Sequence, residues 1–334
     1  MKSVNFMNVV KKAAPTEEIP EKKYRYSVYK DDIYGPVHVH QMYKIPTFEK
    51  ISSTTNISNL SLNNLEAVFI CITLKEIESP KFDTFIENLT NTIEEKLPLD
   101  CVLVLNKFYK AVKDKLEKFV KIASQKFNFV EIINLNIHPI DDIYIQGDDK
   151  DKIKTIPKYG FTSGPNIMFL KSMQYASKYN TVLLLESDCT LSQNWGLACI
   201  NYVKYSGTFL VSGASYDGSM QIPFHDKSMF FHINGVAFYK TGDPLFTNLL
   251  GHLDSYILKI VPDCGCGSYD LAITQMIFDM LSSDKLNYEF WKYMYRNITR
   301  NTLIINASTL VDKDTDISTF YDKFPSCVIL HKKT

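Results

Sequence analysis

Three short apolar runs, separated by stretches of helical periodicity, set the limits on what this chain can fold into. AVFICITL (67–74), CVLVL (101–105) and the apolar part of TVLLLESD (181–188) are continuous and rich in β-branched residues. Such runs suit strands that are covered on both faces, as in a parallel sheet. Between the first two lie Phe82, Phe85, Ile86, Leu89 and Ile93, at helical spacing. After the second come Val112, Leu116, Phe119, Val120 and Ala123, again three and four residues apart, and then a further strand, FVEIINLNI (129–137). A helix is predicted from Pro165 to Lys178, with Gly164 before it and Pro165 at its first position. Strand and helix in alternation specify a mostly parallel α/β sheet with right-handed crossovers. Ligands in such sheets bind outside the carboxyl ends of the strands. Chemistry is therefore expected just after Leu74, Leu105 and Leu185.

Composition narrows the function classes. With 37 Lys plus Arg against 37 Asp plus Glu, the chain has no cationic excess for a dedicated nucleic-acid binder. Twenty Tyr, 21 Phe and two Trp carry too much apolar mass for a disordered chain. No apolar run approaches the ~18 residues of a membrane span, and the N-terminus lacks the apolar core of a signal peptide. Seven Cys scattered mostly through apolar segments point to reduced thiols and a cytoplasmic setting. Residues 1–60 are polar and read as a partly irregular N-terminal extension; His38 and His40, alternating with Val, are an edge-strand pair or a metal pair. Residues 61–334 read as one domain.

The sharpest local feature is Glu186-Ser187-Asp188 at the end of the third apolar strand. Carboxylates at i and i+2 of a strand face one side of the sheet, where they repel each other unless a cation intervenes. A hard divalent ion is the natural partner, and it bridges readily to phosphates. The same acids could instead cap the next helix or face water. Upstream, the small-residue loop 159–166, with Gly164 and Asn166, opens a helix whose N-terminus can receive an anion.

In this order of features the chain resembles the metal-dependent glycosyltransferases of the GT-A fold, over roughly 66–331. Glu186-Ser187-Asp188 is similar to their Asp-x-Asp motif, with Glu in the first place. The resemblance implies a Rossmann-like, mostly parallel central sheet flanked by helices, with a smaller mixed acceptor-side sheet. Residues 61–190 would form the nucleotide-sugar half and 191–334 the acceptor half. It implies Mn²⁺ or Mg²⁺ on Asp188, with Glu186 reaching the ribose or a metal-bound water, and His331, after the last apolar run, completing the metal shell. Thr73 and Leu74 would lie near the base; Gly164, Asn166 and Ser187 would line the donor. Asn234-Gly235, in HINGVAFY (232–239), resembles the family's strand beside the donor sugar and acceptor.

Asp270, at the start of a helical segment (268–281), matches the place of the general base in inverting members; an ordinary helix N-cap is the alternative. Asp263 and Asp254 are reserve candidates. Cys264 and Cys266 lack a second pair for structural zinc, and Trp195 and Phe169 read as packing residues. The implied donor is a UDP- or GDP-sugar and the implied acceptor a glycan or other hydroxyl. Two alternatives stand beside this. A sugar nucleotidyltransferase would place a Gly-rich loop after the first strand, where this chain has Lys75-Glu76-Ile77-Glu78. A catalytically degenerate glycan- or protein-binding module would keep the fold without the activity.

Overall fold

A computed structural model describes residues 24–28, 63–107, 110–145, 156–215, 232–264, 267–306 and 317–331. His38, His40 and Cys266 lie outside the described residues. At the centre are four parallel strands, β2 (Leu65–Ile72), β3 (Leu97–Leu105), β4 (Phe127–Asn134) and β5 (Thr181–Leu185), side by side in the order β4-β3-β2-β5. Within the segment read as an irregular extension, β1 (Tyr24–Val28) pairs in parallel with β4 and adds an edge strand. The chain thus moves outward from β2 to β4 and returns to β5 on the other side of β2. That reversal is a topological switch point, where two loops diverge and leave a crevice.

The crossovers are helical because each has a start signal and one apolar face. Thr73 and Glu76 form a reciprocal capping box on α1 (Leu74–Glu78). Ser79 caps α2 (Pro80–Asn91), which has Pro80 in its first turn. The helix α3 (Lys113–Lys126) follows a single 3₁₀ turn at Lys110–Val112. The helix α4 (Ser163–Ala176) starts two residues earlier than Pro165 suggests, after another 3₁₀ turn, Gly160–Thr162.

The strand predicted over 181–188 stops at Leu185. Residues 186–188 turn, with the Cys189 N–H donating to the Glu186 carbonyl at 3.2 Å, and the chain enters a second sheet as β6 (Cys189–Leu191). Helix α5 (Trp195–Tyr205) and strand β7 (Val211–Ser215) follow. Strand β8 (Ile233–Tyr239) lies antiparallel between β5 and β7, so one sheet runs through both halves of the domain. The periodicity at Phe246, Leu249, Leu250, Leu253, Tyr256 and Ile257 builds α6 (Pro244–Cys264), a 21-residue helix that the sequence reading passed over. Then come α7 (Tyr269–Ser283), α8 (Tyr288–Arg296) and β9 (Ile298–Arg300), which pairs in parallel with β7. Strand β10 (Ile304–Asn306), helix α9 (Ile317–Lys323) and β11 (Ile329–His331) complete the described chain. The second sheet has the order β10-β11-β6.

Alternation along the buried strands divides the core. Ala67 and Phe69 of β2 face a layer formed by α4, α6, α7 and α8, while Val68 and Ile70 face α2, α3 and α5. Trp195 is fully buried in the second layer. In α8, read from sequence as a helix face or an acceptor-side patch, Phe290, Trp291 and Met294 are buried and Tyr288 and Tyr295 are exposed. Cys71, Cys101, Cys189, Cys199 and Cys327 are free thiols, four of them buried. Among the described residues no helix is long and apolar enough to cross a membrane.

Phe69 has no exposed surface and meets Tyr179 edge-on at 5.9 Å between centroids. Phe69→Ala is expected to lower the free energy of unfolding by about 3–5 kcal/mol, read as a lower urea midpoint at unchanged slope.

Candidate functional site

The carboxyl ends of β2 and β5 adjoin across the switch point, since Ile70 is level with Leu185. Past that level, β2 leads into Thr73 and α1, and β5 leads into the 186–188 turn. Ser187 stitches the two together by donating its hydroxyl to Glu76 Oε1 at 2.6 Å. Glu76 accepts from the Thr73 N–H and hydroxyl through Oε2, at 2.7 and 2.6 Å. Ser187 thus reaches Glu76, a residue whose capping role is legible as Thr-x-x-Glu but whose place beside the acidic turn is not.

The second sheet supplies the third partner. His331 lies opposite Cys189 in the antiparallel β11–β6 ladder, next to Asp188. Its Nε2 is 3.2 Å from both Glu186 Oε2 and Asp188 Oδ1. The residue sequence reading placed beyond the last apolar run is therefore a β11 residue only 1% exposed, while Glu186 and Asp188 keep 36% and 25% of their side-chain surface. One ligand atom from each of the three lies within 4.8 Å of the others. Three of the candidate site residues are thus brought together, by a turn and a strand pairing rather than by alternation along one strand.

The electrostatics of this corner are anionic. Burial alone would lower the His331 pKa, but the Asp188 and Glu186 carboxylates beside Nε2, which favour its protonated form, outweigh it and hold the imidazole up to about 10. Burial, then the charges of Glu186 and Glu76, push the Cys71 thiol up to about 12, against a hydrogen bond from Ser172 that lowers it. Tyr239 and Tyr269 are raised well above the usual phenol range by burial, with Asp270 and Glu186 adding to it. Asp188 Oδ1 and His331 Nδ1 are buried without a hydrogen bond of good geometry.

This donor set fits a divalent cation. The set offers two carboxylate oxygens and one imidazole nitrogen, and the 3.2 Å separations are close to the ~3.0 Å between adjacent ligands of an octahedral ion with 2.0–2.1 Å bonds. Carboxylate with imidazole suits Mg²⁺ and Mn²⁺.

On the far side, β8 presses its backbone against the cluster. A Cβ on Gly235 would stand 2.1 Å from the Tyr269 hydroxyl and 3.1 Å from Glu186 Oε1, so only a glycine allows this approach. Tyr239 donates its hydroxyl to the Gly235 carbonyl at 2.9 Å. Tyr269 stacks on Phe169 at 3.9 Å between centroids and 6° between planes. Asn234 is buried, its Oδ1 accepting from the Val236 N–H at 3.4 Å. Asp270 sits in the first turn of α7, where Oδ1 accepts from the Ser268 hydroxyl and from the Leu271 N–H.

The remaining candidates face inward. The Gly164 N–H donates to the Ile143 carbonyl at 2.9 Å, and a Cβ there would meet Asp142 Oδ1 at 3.2 Å. The expected anion cradle at that N–H is filled by the protein's own chain. Asn166 is fully buried and bridges three elements: its Nδ2 donates to the Tyr159 and Gly267 carbonyls and the Thr162 hydroxyl, and its Oδ1 accepts from the Tyr269 N–H. Asn166 thereby sets the entry of α7. Asp254 is buried and accepts from the Tyr159 hydroxyl at 2.8 Å. The side chains of Asp263 and Cys264 lie outside the described residues.

Leu74 is held by its N–H donating to Asn106 Oδ1 at 3.0 Å, while Asn106 Nδ2 donates to both Asp142 oxygens. Lys107 pairs with Asp142 at 3.3 Å. This Asn106–Asp142–Lys107 group lines the ends of β2 and β3. Sequence reading missed it because nothing in the local pattern signals a contact between residues 36 positions apart.

No protein-family profile matches the chain, and no curated protein matches it in sequence. Among solved structures, it is similar to the bifunctional glycosyltransferase WbbM in its apo form, at 14% identity and a TM-score of 0.47, over 82% of this chain and 46% of that one. It is likewise similar to apo mouse xyloside xylosyltransferase 1, at 11% identity and 0.44, over 80% and 96%. A third likeness is to the galactosyltransferase LgtC in complex with donor and acceptor sugar analogues, at 10% and 0.46, over 80% and 87%. The chain spans less than half of WbbM. At these identities and TM-scores, a case for activity rests on the site residues.

Gly235→Ala is expected to displace Tyr269 and Glu186 and to cost about 1–3 kcal/mol by overpacking, seen as a lower thermal midpoint. Adding Tyr269→Phe removes the nearest clashing atom and should recover part of that loss. A Gly235→Ala protein as stable as its parent would contradict the packing described.

Proposed function

We propose that the chain is a metal-dependent glycosyltransferase that moves a sugar from a nucleotide-diphospho-sugar to an acceptor hydroxyl. The observation that carries this reading is the convergence of Glu186, Asp188 and His331 at the switch point of a parallel sheet. Asp188 and His331 would hold Mn²⁺ or Mg²⁺, with Glu186 at the ribose or a metal-bound water. A bound divalent ion neutralises a diphosphate and makes it a better leaving group. Thr73 and Leu74, at the end of β2, border the crevice where the nucleoside would lie. Gly235 lets the β8 backbone approach the sugar side of the cluster, and Asn234 beside it stiffens the strand.

The transfer is proposed to invert configuration. The acceptor oxygen attacks the anomeric carbon, the bond from that carbon to the diphosphate oxygen breaks, and the nucleoside diphosphate leaves with the electron pair. Asp270 takes the acceptor's proton. The Ser268 hydroxyl and the Leu271 N–H hold one of its oxygens and so fix its orientation.

A screen of UDP, GDP, CMP and dTDP with and without Mn²⁺ tests the donor site by thermal shift. One nucleotide should raise the unfolding midpoint by several degrees at about 100-fold excess over its dissociation constant, only with metal. Asp188→Ala should abolish the shift. Stabilisation by none of them, at any metal concentration, would sink the transferase reading. In an assay with a turned-over donor, Asp270→Asn should lower kcat roughly 10²- to 10⁴-fold while leaving nucleotide binding intact.

A further inference from the structure

We propose that a second cavity, one helical turn from Asp270, holds an anionic oxyacid group, phosphate or carboxylate, carried by the acceptor. The inference rests on the transferase reading for its role as an acceptor subsite, but the anion site itself is argued from its own residues. The cavity has a volume of about 420 Å³ and is walled by Ile233 of β8, Thr274 and Ile277 of α7, Tyr295 and Arg296 of α8, and Ile298, Thr299 and Arg300 of β9.

Three features give it this chemistry. The chain has only three arginines, Arg25, Arg296 and Arg300, and two of them line this one cavity. Arginine presents a planar fork of donors that matches phosphate or carboxylate in a bidentate manner. Second, the hydroxyl of Thr274 is buried without a hydrogen-bond partner, and Thr274 is only 3% exposed. An unsatisfied buried hydroxyl is costly, and Thr274 lines the cavity together with the two arginines. Third, the cavity adjoins the site. Asp270, Thr274 and Ile277 follow one another at i, i+4 and i+7 along a single stripe of α7. Ile233 is two residues from Gly235, which packs against Glu186. An acceptor with its hydroxyl at Asp270 could therefore extend a charged group into the cavity.

The test measures binding of sodium phosphate, glycerol 3-phosphate and glucuronate by titration calorimetry on the full chain in EDTA, with glycerol and glucose as uncharged counterparts. Saturable binding of a charged probe and none of its uncharged counterpart is expected. Arg296→Gln and Arg300→Gln should each weaken it roughly tenfold or more, Thr274→Val should weaken it several-fold, and Asp188→Ala should leave it unchanged. Arg296→Lys, which keeps the charge and loses the fork, should fall between wild type and Gln, and unchanged thermal midpoints would show that the variants fold. Binding of the phosphate probes alone assigns phosphate, and of glucuronate alone carboxylate. Charged and uncharged probes binding alike, or arginine variants binding as wild type does, would overturn the proposal. If nucleotide and metal bind but these anions do not, this inference fails by itself. If the anions bind through the arginines and no nucleotide binds, the transferase reading fails, and with it the acceptor role of the cavity.

Discussion

Carboxylates gathered at the end of a buried sheet repel one another, and the corner formed by Glu76, Glu186, Asp188 and Asp270 has to be held together against that repulsion. Hydrogen bonds do part of this: Ser187 to Glu76, Ser268 to Asp270, and the capping box around Thr73. The rest comes from His331, whose imidazole lies between two of the acids and stays protonated far above its ordinary range. Protonated imidazole and divalent cation are alternative ways to neutralise the same pair of carboxylates. The proposed function takes the divalent cation as the second of these.

The position of His331 depends in turn on the chain changing sheets within the three residues 186–188. Had β5 run on to 188, Asp188 would have remained in the large sheet, and β11 would have had no β6 to pair with. The turn sends Cys189 into the small sheet, where it lies opposite His331. Behind the cluster, the stack of Phe169 on Tyr269 and the bond from Asn166 to the Tyr269 backbone fix the start of α7. Asp270 and Gly235 are therefore set by the same buttress. Packing of this kind keeps polar groups in place without spending their own hydrogen-bonding capacity on it.

Much of the parallel-sheet architecture is legible in local pattern. The apolar runs 67–74, 101–105 and 181–185 become β2, β3 and β5 because a strand buried on both faces needs no alternation, and α2 and α3 show a one-sided periodicity. Legibility falls where the burial is not one-sided. The helix α6 was passed over because its apolar positions are interspersed with Asn, His, Asp and Lys that read as loop. The strand β1 was missed because a five-residue edge strand, YRYSV, carries little signal of its own. In the 159–166 loop, small residues suggested a ligand cradle, whereas Gly164 and Asn166 serve the protein's own backbone; Gly and Asn mark close approach without saying to what.

By itself, the order of residues determined the α/β class, the parallel strands and the acidic tripeptide after the third apolar run, since these follow from hydrophobic periodicity and chemistry within a few positions. What only the tertiary structure decided is which distant groups meet. The 145-residue step from Glu186 to His331, the seating of Gly235 against Tyr269, and the assembly of Arg296, Arg300, Thr274 and Thr299 around one cavity are pairings of residues from different elements. They are set by sheet register and helix docking, which depend on the packing of the whole core and leave no local trace in the sequence.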